Sequence, residues 1–207
     1  MKRTMLVLMV FMATFSSVSA QFTAGSKVGL NRTKEYYGRK IMDEDIDFRT
    51  GLNAGIYGKY GLSDRFDVQA ELLYSRQGYK SSVPLADLGG TAIVEGYKAL
   101  SHYLNVPVLL KYYPFTRIYI EAGPQVGFCL GYTYSSGHKE YDEALKTLDT
   151  DYNTVDFSLA GGIGLYIGYG LSLNARYIHG FTKTVPHYPD GKNRTIQFSL
   201  AYDLWEL

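Results

Sequence analysis

Apolar and polar residues alternate along this chain in eight segments of about ten residues each. In one of these segments, Leu52 and Ala54 alternate with Asn53 and Gly55. A period of two puts successive side chains on opposite faces of a β-strand, so each segment predicts a strand with one apolar face. The predicted strands cover residues 22–31, 50–60, 66–75, 103–112, 118–130, 155–165, 171–177 and 195–204.

The connections between these strands alternate between short turns and long polar loops. The short turns cover residues 61–65, 114–117 and 168–170, and the long loops cover residues 32–49, 78–98, 133–154 and 182–192. An even number of strands places both chain ends and all short turns at the same end. Outer-membrane barrels have short periplasmic turns and long extracellular loops. The predicted fold is therefore all-β, an eight-stranded antiparallel transmembrane up-and-down β-barrel.

Charged residues within the segments keep to the face opposite the apolar side chains. The interior of an eight-stranded barrel is just wide enough to be filled by side chains, so this face predicts a paired polar network in the lumen. Its predicted members are Lys27, Lys59, Asp67, Glu71, Lys111, Glu121, Asp156, Arg176 and Asp203. Two alternatives stay open: a narrow passive channel, and a soluble periplasmic ligand-binding barrel whose apolar face points inward.

Aromatic residues cluster where the segments meet the connections. Such side chains settle at the headgroup level of a membrane, so we expect two aromatic belts. One rim would hold Tyr60, Phe66, Tyr112, Tyr113, Phe115, Tyr119, Tyr166, Tyr169, Tyr202 and Trp205, and the other Tyr74, Tyr103, Tyr132 and Tyr177.

Proline and glycine interrupt some of the predicted strands. Pro107 and Pro124 cannot donate to a strand ladder, so each is expected at a bulge or where an N–H group would have no partner. Gly162 and Gly164 make the interior face of their strand small, and we expect them to leave room for other side chains in the lumen.

The N-terminus has the pattern of a secretory signal peptide. Lys2 and Arg3 precede an apolar run over residues 5–15, and small residues lead to a predicted cleavage between Ala20 and Gln21. Residues 1–20 would be the signal peptide and residues 21–207 the barrel domain. The predicted location is the bacterial outer membrane, where the barrel would meet outer-membrane lipid and the outer-membrane assembly machinery.

The composition agrees with a β protein and excludes a nucleic-acid partner. The 207 residues include 20 Tyr, 10 Phe and 22 Gly against only 6 Pro, a composition that favours strands. The formal net charge of +1 supplies no basic surface for nucleic acid. The chain contains a single cysteine, and its four histidines show no ligand spacing, so no metal site or cofactor is predicted.

One arrangement could suggest catalysis at the outer rim. His179 is predicted near that rim, and Ser135, Ser136 and Asp190 occur in nearby connections. The sequence does not specify how these groups are placed relative to one another. We predict that the protein is not an enzyme. Its function would instead lie in the long extracellular loops, or in a membrane-embedded role in assembly, with an extracellular or envelope protein as partner.

The fourth predicted strand carries a resemblance to a known family. Residues 102–113 read His-Tyr-Leu-Asn-Val-Pro-Val-Leu-Leu-Lys-Tyr-Tyr, which resembles the mid-barrel strand of the PorT-like outer-membrane β-barrel family. Weaker similarities lie at residues 25–31, 121–124 and 161–164. The resemblance implies an exported outer-membrane barrel of about eight strands without a catalytic site. The namesake's role in assembling a secretion machine is not transferred to this chain.

Overall fold

A computed structural model describes residues 22–37, 46–81, 85–86, 92–94, 97–135, 153–184 and 191–206. The described residues form ten β-strands, and no helix among them is long and apolar enough to cross a membrane. The strands are β1 (Phe22–Tyr36), β2 (Ile46–Ser63), β3 (Phe66–Ser81), β4 (Leu85–Ala86), β5 (Ala92–Val94), β6 (Tyr97–Phe115), β7 (Ile118–Ser135), β8 (Val155–Gly168), β9 (Leu171–Lys183) and β10 (Lys192–Glu206).

Eight long strands close into a barrel in the order β1-β10-β9-β8-β7-β6-β3-β2. Every pair is antiparallel, and the barrel closes because β1 pairs with both β10 and β2. The two short strands β4 and β5 pair only with each other, within the connection between β3 and β6. A closed sheet leaves no unpaired edge, which is the condition for a β structure in lipid. The predicted fold is confirmed.

The wall of the barrel has an apolar outer face and a polar inner face. On β10 the outward Phe198 and Leu200 are 55% and 40% exposed, whereas the inward Gln197 and Ser199 are 2% and 5% exposed. Exposed apolar side chains around a closed wall need lipid, not water, as their surroundings. The inward apolar face that a soluble ligand-binding barrel requires is therefore not the arrangement that this chain adopts.

The strands are longer than the alternation predicted. The barrel strand β6 has 19 residues and β2 and β7 have 18 each, although about 9–11 tilted residues suffice to span a bilayer. At the long-loop end the alternation continues with polar residues, so residues 32–36 and 46–49 extend β1 and β2 instead of forming loops. The predicted strand ends were therefore wrong at this end, because the apolar signal stops before the backbone pairing does.

Both strand prolines occupy gaps in the hydrogen-bonded ladder. The register between β3 and β6 is unpaired at Pro107, and that between β6 and β7 is unpaired at Pro124. Neither gap shifts the register, so the missing N–H group is accommodated without a bulge. Each proline thus interrupts the ladder on one side, as expected of a residue that has no N–H group to donate.

Candidate functional site

Five charged side chains meet in the middle of the lumen, each from a different strand. Alternation points all five inward, and each is at least 95% buried. The cluster consists of Lys27 on β1, Glu71 on β3, Lys111 on β6, Glu121 on β7 and Arg176 on β9. We call these five residues the charged cluster.

Arg176 is the centre of the charged cluster. Its Nη1 and Nη2 donate to the two carboxylate oxygens of Glu71, each at 2.8 Å, and its Nε donates to Glu121 Oε1 at 2.7 Å. This two-pronged geometry matches the fork of a guanidinium to a carboxylate. Lys27 Nζ donates to Glu71 Oε1 at 3.1 Å. Four strands are thus joined through one guanidinium and two carboxylates.

Lys111 completes the charged cluster with a looser contact. Its Nζ lies 3.9 Å from Glu121 Oε2 and 4.2 Å from the centre of the Tyr119 ring. A cation over an aromatic face is attracted by the ring quadrupole. The ring therefore supplies part of the compensation that the long ion pair does not.

The short-turn end of the lumen holds a second group of polar contacts. Lys59 Nζ lies 3.5 Å from Asp203 Oδ2 and donates to Tyr166 Oη at 2.6 Å. Tyr57 donates its hydroxyl to Asp203 as well. Two charges of the predicted network are therefore paired, but apart from the charged cluster.

Four tyrosines predicted for the aromatic belts point into the lumen instead. Tyr103 and Tyr119 are 2% and 1% exposed, and the rings of Tyr113 and Tyr166 lie 5.8 and 5.7 Å from that of Tyr119. Their assignment to the belts was wrong, because it used the position of each tyrosine along its strand and not the face to which its side chain points. Other predicted belt residues are exposed at the wall, among them Phe66, Phe115, Tyr169, Tyr202 and Trp205 at one rim and Tyr74 and Tyr177 at the other.

Two glycines make room for lumen tyrosines. A Cβ at Gly164 would lie 2.0 Å from the ring of Tyr119, and a Cβ at Gly25 would lie 2.2 Å from the ring of Tyr57. Contacts this short are far inside van der Waals distance, so any larger residue would displace the ring. The expectation that Gly164 leaves space in the lumen is confirmed.

Toward the long-loop end the lumen is filled by neutral polar side chains. Asn31 Nδ2 donates to Ser75 Oγ at 2.7 Å, and Asn53 Nδ2 donates to Asn31 Oδ1 at 2.8 Å. Gln197 Nε2 and Ser199 Oγ reach the same pair of amides at 3.3 and 3.4 Å. The sequence analysis named only charged residues. The inward positions of the same alternation could have identified these amides and hydroxyls.

Asp67 and Asp156 take neutral partners instead of cations. Tyr113 Oη donates to Asp67 Oδ2 at 2.6 Å, and Asn193 Nδ2 donates to Asp156 Oδ2 at 3.2 Å. The nine predicted residues thus separate into a charged cluster of five, the Lys59–Asp203 pair, and these two carboxylates at opposite ends.

Of the remaining sequence candidates, His179 is the one whose surroundings the structure describes. His179 lies on the outer face, where its ring centre is 5.1 Å from that of Phe181 and 6.2 Å from that of Tyr177. Ser136 and Asp190, like the predicted cleavage point at Ala20 and Gln21, lie outside the described residues. Among the described residues, no group of three or more His, Cys, Asp and Glu side chains could hold a metal.

The strand that carries the PorT-like resemblance supplies alternate residues to the lumen. Tyr103, Asn105, Pro107, Leu109 and Lys111 are all buried on the inner face of β6. Leu109 is fully buried and Lys111 belongs to the charged cluster. The motif therefore combines the packing of the lumen with an apolar outer face.

The sequence profile of the outer membrane protein β-barrel domain matches residues 12–185. The chain belongs to this family. This outer-membrane barrel is similar in fold to neisserial surface protein A, with 10% identity and a TM-score of 0.55 over 90% of this chain and 100% of that one. The family and the fold place it in the bacterial outer membrane.

Two further solved structures have lower structural similarity. The attachment invasion locus protein Ail of Yersinia pestis has 14% identity and a TM-score of 0.48, over 89% of this chain and 99% of that one. OprG of Pseudomonas aeruginosa has 13% identity and a TM-score of 0.42, over 89% of this chain and 95% of that one. A comparison with curated protein sequences gave no significant match.

Proposed function

We propose that this outer-membrane barrel is a non-conducting, non-catalytic protein that binds an extracellular or envelope protein. Contact would be made by its long loops or by its membrane-embedded wall, as in an assembly partner. The observation that supports this proposal is the filled lumen. A barrel whose interior is filled by paired side chains has no water-filled path through it. The loops at its ends remain accessible to a partner protein.

The charged cluster is the part of the lumen that opposes conduction most strongly. An ion passing this level would have to separate Arg176 from Glu71 and Glu121, whose contacts measure 2.7–2.8 Å. Removing one partner from such a buried network of ion pairs typically costs about 3–5 kcal/mol of free energy. The cross-section at this level is occupied by three cations and two carboxylates from five strands.

The proposal for the loops is supported by where the long connections leave the barrel. Residues 37–45, 82–96, 136–154 and 184–191 connect strands at the same end of the sheet. This end faces the outside in proteins of this architecture. Connections carried on a rigid scaffold are common sites of recognition, so a protein partner would be selected there.

The export route is part of the same proposal. Residues 1–20 would direct secretion, and cleavage between Ala20 and Gln21 would release residues 21–207 to the outer-membrane assembly machinery. The PorT-like relationship is part of this proposal as well, and it rests on the sequence of residues 102–113. Mass determination of the protein from outer membranes tests the cleavage, since a mature N-terminus other than Gln21 would contradict it.

Conductance measurement tests the sealed lumen. The purified barrel in a planar bilayer is expected to show no steady open state, whereas a narrow passive channel would show a constant unit conductance. A wide-lumen porin in the same bilayer is the positive control. A reproducible open level that persists after repeated purification would overturn the sealed lumen.

Crosslinking in whole cells tests the role of the loops. A variant with residues 136–152 replaced by a Gly-Ser linker is compared with one in which Asp64 and Arg65 of a short turn are replaced by Gly and Ser. Loss of a specific crosslinked protein in the first variant alone is expected. Equal crosslinking in both variants would contradict recognition by this loop.

A further inference from the structure

Four cationic side chains lie on the outer face of the barrel wall at the long-loop end. Arg32 and Lys34 belong to β1, and Lys192 and Arg194 to β10. In the register of these strands Lys34 lies directly opposite Arg194. Like charges at such positions lie about 5 Å apart at Cβ and destabilise the pair. The proximity of Lys34 and Arg194 therefore needs a physical reason.

Within the described part of the chain, none of these four cations is held in an ion pair. The ion pairs found there join residues of the lumen. Glu35, which follows Lys34 on β1, points inward and is 3% exposed, with Tyr37 Oη donating to it at 2.6 Å. The nearest carboxylate along the strand is thus on the wrong side of the wall to neutralise them.

Aromatic rings contact three of these cations, and two of the three, Lys34 and Arg194, line a cleft. Arg32 and Lys34 lie 5.1 and 5.3 Å from the ring centre of Phe48, and Arg194 lies 5.6 Å from that of Tyr36. Arg194 Nη1 also donates to Gly180 O at 2.8 Å. A guanidinium has five N–H groups, so this anchoring leaves donors for a ligand.

The cleft is a defined concave space on the outer wall. Its volume is about 310 Å³. Its lining combines two cations with an apolar and aromatic surface, and consists of Lys34, Tyr36, Phe48, Tyr177, Arg194 and Ile196. We call this space the basic cleft.

An apolar groove of about 600 Å³ lies on the same strands toward the middle of the membrane. It includes Leu30 on β1, Phe198 on β10 and Ala175 on β9. Ala175 is opposite Phe198 on one side and Ile163 on the other, so its small side chain leaves a depression between larger ones. The groove has the dimensions and polarity that suit an acyl chain.

The groove and the basic cleft follow each other along one strand. Outward positions on β1 pass from Leu30 at the groove to Lys34 at the cleft. Four residues of strand span about 13 Å. An amphiphile could therefore place a chain in the groove and an anionic headgroup between Lys34 and Arg194.

We infer that β1, β9 and β10 form a binding site for lipid A, the phosphorylated and acylated glycolipid of the outer leaflet. Its phosphate binds Lys34 and Arg194 and is approached by Arg32 and Lys192, and one acyl chain occupies the groove at Ala175. A phosphate between the paired cations removes their mutual repulsion and forms charge-assisted hydrogen bonds. The long-loop end selects the outer leaflet as the source. This inference does not depend on a sealed lumen.

Binding of purified lipid A to the full-length barrel in zwitterionic detergent, followed by native mass spectrometry, tests the site. Lys34→Gln with Arg194→Gln should weaken binding by about tenfold or more, because each charge-assisted contact is typically worth about that factor. Ala175→Phe should weaken it by filling the groove. Retention of wild-type affinity by both variants would overturn the site.

Matched variants on the opposite wall separate a built site from general attraction. Lys80→Gln with Lys98→Gln removes the same charge from exposed, cross-strand positions on β3 and β6. Ala70→Phe enlarges an exposed outward alanine of β3. Both should bind lipid A like the wild type, and an equal loss in them would overturn the proposal.

Two lipid probes test the chemistry of the headgroup. Dephosphorylated lipid A should bind at least about tenfold more weakly than lipid A, since the cations then lack their partner. Phosphatidylglycerol should also bind more weakly; equal affinity for it would overturn the assignment to lipid A. Heat-modifiable migration on cold gels establishes that each variant is folded before its affinity is compared.

Discussion

The cations inside the barrel and those on its outer face have opposite surroundings. Arg176 and Lys27 are fully enclosed and bonded to carboxylates at 2.7–3.1 Å. Lys34 and Arg194 are half-buried, lie on aromatic rings and have no ion pair within the described residues. Lysine and arginine thus form structural ion pairs in the lumen, whereas on the outer face they are available to bind a ligand.

The difference follows from what each location offers a charge. The charged cluster is buried in the middle of the lumen, so a charge there must be compensated by the protein itself. At the level above the apolar wall, water and anionic headgroups supply the compensation. Removing an inner charge should therefore damage stability, and removing an outer one should damage binding only.

The largest effect is expected when Glu71 is removed. Glu71→Leu leaves Arg176 and Lys27 without their shared carboxylate, and should lower the free energy of unfolding by about 3–5 kcal/mol. Urea unfolding followed by the heat-modifiable band measures it. Asp64→Leu removes the same charge from an exposed turn and is the control. Similar midpoints for the two variants would show that the charged cluster does not stabilise the barrel.

A smaller effect is expected from overpacking the lumen without changing its charge. Gly164→Ala drives a methyl group into the ring of Tyr119 and should cost about 1–3 kcal/mol. Gly161→Ala is the matched variant on the same strand, because its Cβ would meet only Glu121 O at 4.0 Å. The same unfolding assay should separate the two. A stable Gly164→Ala protein would mean that the tyrosine layer is loosely packed.

The hydrogen bond from Tyr57 to the Asp203 carboxylate at the short-turn end should contribute less again. Tyr57→Phe removes the hydroxyl that donates to Asp203, and should lower the free energy of unfolding by about 1.5 kcal/mol, the low end for a hydrogen bond to a charged group, because Asp203 keeps Lys59 as a partner. Tyr202→Phe changes an outward tyrosine that is 45% exposed and should have no comparable effect. A reversed order of the two midpoints would argue against a role for this layer in stability.

The smallest effect on stability is expected from the outer cations. Lys34→Gln with Arg194→Gln should change the free energy of unfolding in lipid-free detergent by no more than about 0.5 kcal/mol per substitution, as for surface positions generally. Relief of the repulsion between Lys34 and Arg194 acts in the opposite direction and raises the free energy of unfolding. A loss as large as that of Glu71→Leu would show that the outer cations are structural and not a binding surface.

Alternation and the lengths of the connections together predicted the architecture. They predicted the eight barrel strands, the closed antiparallel order and the inward face of the nine charged residues named for the lumen, because period two is a local property of the backbone. Position along the strand was less well predicted. Arg32 and Lys34 were assigned to a loop, since an apolar signal ends at the edge of the membrane while strand pairing continues.

The sequence by itself determined that one face of each barrel strand is apolar and the other polar, and in lipid a sheet with this pattern must close on itself. Only the tertiary structure decided which charges meet. Glu71 and Arg176 are 105 positions apart and become partners through the stagger of the strands around the barrel. The same closure brings β1 beside β10, so that Lys34 lies opposite Arg194, a juxtaposition that depends on register and that no local pattern specifies.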